Sequence, residues 1–168
     1  MNKPSMNEPV RYVELLNQRY QLQGFPPYAW TVNDAAPLTP LTKPLAECRV
    51  SMLTSGGVSH CTLPTWDAYA RNDFRLDTVD PAAPASDFSV SDSYYDTTDA
   101  EVDINCVFPI DRLRELCADG TIASIAPRLW SGFMGRIYKR SHVQDVAAPA
   151  LFDELVSDEV DLFLLVPA

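Results

Sequence analysis

A chain of 168 residues with 46% apolar and 21% charged side chains has the length and composition of one soluble domain with a proper core. Thirteen basic against 23 acidic residues leave a net charge of −10, which argues against nucleic acid and against anionic membranes as partners, because both need a basic surface. No apolar run is long enough to span a bilayer, and the start Met1–Glu8 has no apolar signal core, so a cytoplasmic protein is expected. Four cysteines, Cys48, Cys61, Cys106 and Cys117, form no C-x-x-C pair. They read as reduced thiols rather than a zinc knuckle or a thioredoxin-type couple.

In chain order, residues 1–8 read as a tail and the stretch from Pro9 to Gly24 as a helix. Val10, Val13, Leu16 and Tyr20 recur at helical spacing, and Gly24 stops them. Five prolines between Pro26 and Pro44 then forbid a long helix or a central strand. This segment reads as an extended wrap whose aromatic groups, Phe25, Tyr28 and Trp30, anchor it to the domain or line a cleft. Residues 1–46 are therefore taken as an N-terminal helix and Pro-rich extension, and 47–168 as the core.

Cys48–Leu53 reads as a buried strand, followed by the turn Thr54-Ser55-Gly56-Gly57-Val58. A strand that ends in a Gly-rich turn is where α/β folds place ligands, so Thr54, Ser55, Gly56 and Gly57 are candidate ligand-binding residues. The turn lacks both G-x-G-x-x-G and a P-loop lysine, and an ordinary tight turn has the same sequence. His60 and Cys61 adjoin it, but neighbours in a strand point to opposite faces, which argues against a shared site. Short strands are expected at Phe74–Leu76 and Phe88–Val90.

The stretch Ser91–Arg112 concentrates the chemistry. Tyr94 and Tyr95 are candidate hydrogen-bond donors or general acids, with Asp96 and Cys106 as further catalytic candidates, although a tyrosine pair also serves as half-buried packing. Asp99, Glu101, Asp103 and Asn105 follow at alternate positions. In an extended segment all four share one face and suit a small ligand or a hard cation. In a turn ahead of a helix they favour its N-terminus instead. That helix runs from Pro109 to Ala118, with Ile110, Leu113, Leu116 and Cys117 on one apolar face and Gly120 as its stop.

Thr121–Pro127 suggests another strand. Trp130–Tyr138 is aromatic and Gly-containing, so its backbone is expected to approach something closely. A helix over Val143–Ser157 is kinked by Pro149 or begins there. The run Val160–Val166 reads as a central parallel strand. Strands alternating with helices give a three-layer α/β domain with a mostly parallel sheet and a Pro-rich N-terminal extension.

Laid out this way, the chain resembles the selenoprotein B family of glycine, sarcosine, betaine and D-proline reductases. The resemblance runs through Gly24-Phe25-Pro26-Pro27-Tyr28, Thr39-Pro40-Leu41, Lys43-Pro44-Leu45, Thr54-Ser55-Gly56-Gly57-Val58, Tyr95-Asp96-Thr97-Thr98-Asp99-Ala100-Glu101, Val107-Phe108-Pro109, Phe133-Met134-Gly135 and Leu165-Val166-Pro167. It implies reductive cleavage of a carbon–nitrogen bond by a low-pKa selenol or thiol. In full-length members that nucleophile lies just beyond the strand matching Val160–Pro167. The sequence here stops at Ala168, so a short member without the nucleophile is expected. Family histidines are replaced as well, by Asp92 and Tyr94 ahead of Tyr95 and by Leu129 and Trp130 ahead of Phe133.

The expectation is a reductase-like subunit or accessory protein with a small-molecule cleft between Thr54–Val58 and Tyr94–Asn105. A homo-oligomer or a partner subunit would complete it. No cofactor is identified and no metal ligand is assigned. Two alternatives stand beside it: a stand-alone enzyme of specialised metabolism that uses residues 94–105 with a metal or cofactor, and a non-catalytic binding or scaffold protein.

Overall fold

A computed structural model describes residues 11–27, 34–35 and 38–168. The chain divides into two units, Met1–Thr39 and Pro40–Ala168. In the first, helix α1 spans Tyr12–Leu22. Gly24, at φ +78°, ends it, and the Phe25 N–H turns back to the Tyr20 carbonyl. The expectations for residues 1–8, Tyr28 and Trp30 lie outside the described residues.

The second unit is built on strand β1, Arg49–Thr54, all but the first of whose residues are buried. One edge of β1 pairs in parallel with β7, Leu162–Val166, from Val50↔Leu162 to Thr54↔Val166. The other edge is shared by two short parallel strands. β5, Ser124–Ile125, takes the first half of β1, and β6, Leu129–Gly132, takes the second. β3, Leu76–Val79, closes the sheet antiparallel to β6. A separate antiparallel pair joins β2, Val58–His60, to β4, Phe88–Val90.

Alternation along β1 divides the core into two layers. Val50 and Met52 pack with Ile110 and Leu113 of helix α3, Ile110–Ala118. Leu53 faces the other way and packs with Trp130 and with Leu151 of helix α5, Ala148–Ser157. Each such side chain contributes on the order of 1.5–3 kcal/mol when fully buried. A short helix α2, Thr98–Val102, precedes α3, and a turn of helix α4, Arg140–His142, precedes α5. Between α4 and α5 a π-turn over Val143–Ala147 absorbs the misfit of Pro149, which sits in the first turn of α5. Helices on both faces of a mostly parallel sheet make the expected three-layer α/β fold.

β7 corrects one expectation. It is parallel, as its sequence implies, but it is not central. Among the described residues it pairs with β1 alone, and Leu164 and Leu165 are 40% and 62% exposed. Its apolar run records a need for burial that the described residues only half meet. Among the described residues no helix is long and apolar enough to cross a membrane.

Candidate functional site

The Thr54–Val58 turn leaves the C-terminal end of β1 and is closed by its own hydrogen bonds. Thr54 Oγ1 donates to the Val107 carbonyl at 2.6 Å and accepts the Gly56 N–H at 3.1 Å. The Ser55 N–H reaches the Val166 carbonyl, and Ser55 Oγ accepts the Ala168 N–H. Gly57 sits at φ +66°, and a Cβ there would stand 2.3 Å from the Ser91 carbonyl oxygen and 3.2 Å from the Met134 methyl group. Gly135 is similarly close, since a Cβ there would stand 2.8 Å from the Tyr94 ring. The turn, the tyrosine pair and the Phe133–Gly135 segment therefore meet, but as packed backbone rather than as an open cradle. The Gly56 N–H, available in sequence for an anion, is already taken by Thr54.

The catalytic candidates occupy four separate environments. Tyr95 donates to the Gly56 carbonyl at 2.8 Å, and burial, helped by Asp92, pushes its phenol up to about 12. It is a hydrogen-bond donor at neutral pH, not a base. Tyr94 is 59% exposed, and partial desolvation raises its pKa as well. Asp96 accepts from the Thr98 hydroxyl and N–H, which hold its carboxyl below the usual range. Cys106 is exposed and points its Sγ at the Asp99 carbonyl, 3.8 Å away.

The acids do not share one extended face. Residues 98–102 are helical and 104–106 form a turn of 3₁₀ helix, so the alternate positions rotate apart. Asp103 caps that turn by accepting the Asn105 N–H at 3.0 Å. The Asn105 amide then bridges Asp103 and Asp111, donating to both at 2.8 and 3.1 Å, while its carbonyl accepts the Asp111 N–H. Asp111 also pairs with Arg114 at 2.7 Å, and Arg114 reaches the carbonyls of Pro81 and Ala83. Glu101 accepts the Thr97 hydroxyl. The acids thus organise the entry to α3.

Glu101, Asp103, Asn105 and Asp111 also wall a cavity of about 400 Å³ whose other side is Ser86, Phe88 and Val90. Such a wall favours a small guest that is cationic or rich in donors. Asp99 is not part of it. Asp111 and Arg114 carry no signal as site residues in the sequence beyond their place in the first turns of α3.

The hydrogen bonds around Asp111 have a pH signature. Asn105 first, then Arg114, hold its carboxyl below the ordinary 3.8, and Asn105 does the same for Asp103. A depressed folded value adds stability that is present above the unfolded pKa and lost as pH falls through the folded one. Asp77 has the opposite sign: burial raises its pKa, so its ionised form opposes folding, and protonation relieves that. The melting temperature is therefore expected to hold from neutral pH to about pH 5 and to fall below about pH 4. Asp111→Asn should flatten that acid limb. An unchanged limb, followed by circular dichroism, would show that the Asp111 network contributes nothing.

Comparison with known proteins matches residues 6–167 to the glycine/sarcosine/betaine reductase selenoprotein B family. The chain is 32% identical over 140 residues to the D-proline reductase subunit gamma of Acetoanaerobium sticklandii. The match covers 83% of this chain and 53% of that relative, so the chain spans about half of the relative's length. No solved structure matches.

Proposed function

Because the chain belongs to the glycine/sarcosine/betaine reductase selenoprotein B family, we propose that it is a non-nucleophilic component of a reductase-type assembly, in which a partner polypeptide seats on β7 and supplies the reactive thiol or selenol. The observation that carries this reading is the uncovered apolar strip formed by α5 and β7. Leu53, Phe133, Leu151, Phe152, Phe163 and Leu165 line an apolar groove of about 370 Å³. Phe152, Val156 and Leu165 are 64%, 59% and 62% exposed beside a strand that, among the described residues, pairs on one edge only. A contiguous apolar patch next to an open edge is the signature of a docking surface.

Three of the four thiols, all but Cys61, are already engaged by the backbone. Cys48, Cys106 and Cys117 each direct Sγ at a backbone carbonyl, of Pro44, Asp99 and Ala123, at 3.4, 3.8 and 3.8 Å. The acid-walled cavity beside α3 is the place this reading gives to a small ligand, and the cytoplasm is the compartment it gives to the protein.

Leu165→Asp tests the assembly. Leu165 is largely exposed, so the stability of the isolated chain should change by no more than about 0.5 kcal/mol. Tagged wild-type chain isolated from its native cells should carry a stoichiometric polypeptide with a reactive selenocysteine or cysteine, and recovery should drop at least about tenfold with the variant. A wild-type chain that is strictly monomeric and alone, or equal recovery with Leu165→Asp, would sink the proposal.

A further inference from the structure

The end of β2 gathers a set of side chains that the family reading does not use. His60 is the last residue of β2 and pairs with Phe88 of β4, and Asp87 precedes Phe88. The Cys61 N–H donates to the Asp87 carbonyl at 2.8 Å, which carries the ladder one residue further and fixes the two chains in register. Strand alternation predicts that His60 and Cys61 diverge. The chain leaves the strand at Cys61 in a turn closed by the Leu63 N–H on the His60 carbonyl, so the alternation no longer applies. One donor atom from each of His60, Cys61 and Asp87 consequently lies within 4.8 Å of the others.

We propose that His60, Cys61 and Asp87 form a binding site for a zinc-type divalent cation. The distances set how far the cluster must close. His60 Nε2 is 3.8 Å from Asp87 Oδ2, and His60 Nδ1 is 4.0 Å from Cys61 Sγ. Donors about 2.0–2.3 Å from a tetrahedral zinc stand roughly 3.3–3.6 Å apart; with one nitrogen of His60 serving, the three donors lie within 4.8 Å of one another, so the cluster needs to close by roughly an ångström. A mixed thiolate, imidazole and carboxylate set is a borderline-soft site, which zinc suits better than magnesium or calcium does.

Thr62 stands against one of the two ring nitrogens. Its hydroxyl lies 2.8 Å from His60 Nδ1. With metal on Nε2, Nδ1 carries the proton and donates to that hydroxyl, the outer contact that orients a ligating histidine. Without metal, a bare Nδ1 accepts the Thr62 N–H at 3.3 Å. The ring is steadied further by Phe88, edge-on with centroids 5.4 Å apart. Cys61 is exposed, which leaves a fourth position open to water or to a ligand atom. Binding releases the Cys61 thiol proton to solvent, so affinity rises with pH.

The test uses the whole chain, stripped of metal and titrated with zinc, while alkylation of each cysteine is followed by peptide mapping. Zinc should slow alkylation of Cys61 at least tenfold and leave Cys106, also exposed, unchanged as the internal control. Cobalt in place of zinc should give a thiolate-to-metal absorption band in one-to-one proportion. Cys61→Ser and Asp87→Asn should lose the binding, and Thr62→Val should weaken it about tenfold. Equal alkylation of Cys61 with and without zinc, or wild-type affinity in Cys61→Ser and Asp87→Asn, overturns the proposal. These readouts do not depend on any partner polypeptide, so the site and the assembly stand or fall separately.

Discussion

Gly57→Ala is expected to be the most damaging single-methyl substitution in the second unit. A Cβ at this position would stand 2.3 Å from the Ser91 carbonyl oxygen and 2.9 Å from its carbon. Both are backbone atoms and cannot swing aside. They are also held in place, because the Ser91 N–H donates to the Gly57 carbonyl at 2.9 Å and the β2–β4 register begins at the next residue with Val58↔Val90. The φ of +66° adds strain of its own. The loss should be about 3 kcal/mol or more, which lowers the melting temperature by roughly 10 °C. Gly120→Ala is the control. Its φ is +80°, but nothing lies within 4 Å, so only the conformational term of about 1 kcal/mol remains. Equal losses in the two variants, measured by urea denaturation, would show that the contact between Gly57 and Ser91 is not a constraint.

Phe108→Ala should remove about 3–5 kcal/mol. The side chain is fully buried in the layer between β1 and α3, and its ring meets Phe88 edge-to-face at 5.5 Å. Phe88 in turn supports His60, so three rings link the centre of the core to the end of β2. Phe108→Leu keeps most of the volume and should lose less than about 1.5 kcal/mol. A loss below about 1.5 kcal/mol for the alanine variant would mean that the layer collapses into the space, and denaturation with matched slopes separates the two outcomes.

Helix α3 was legible because Pro109, the spacing of Ile110 and Leu113, and Gly120 all say the same thing. β1 was legible because an apolar run of its length beside a Gly-rich turn has few other uses. The position of β7 was not. Apolarity reports that a strand needs cover and is silent on which chain provides it, so a half-covered edge and a central strand read alike. The acids of 96–105 were legible as a cluster, and the alternative of a helix entry was visible in their place before Pro109. A period of two along the sequence could not reveal that residues 98–102 would wind into a helix. The His60–Cys61–Asp87 cluster depends on a ladder partner that arrives some twenty-five residues later and on the residue at which a strand gives way to a turn, and neither leaves a local signal.

The way β1 is shared among its neighbours has a consequence for how the chain is made. Arg49 pairs with Ser124, Leu53 with Trp130 and Val50 with Leu162, so among the described residues every partner of the central strand lies far downstream of it. During synthesis β1 leaves the ribosome ahead of these partners, and the sheet cannot close until about two-thirds of the chain has followed. Long-range closure of this kind makes folding slow and leaves an apolar strand open in the meantime. The β2–β4 pair and the α2–α3 region need only nearby residues, so they can order first and give the late strands a surface to assemble on.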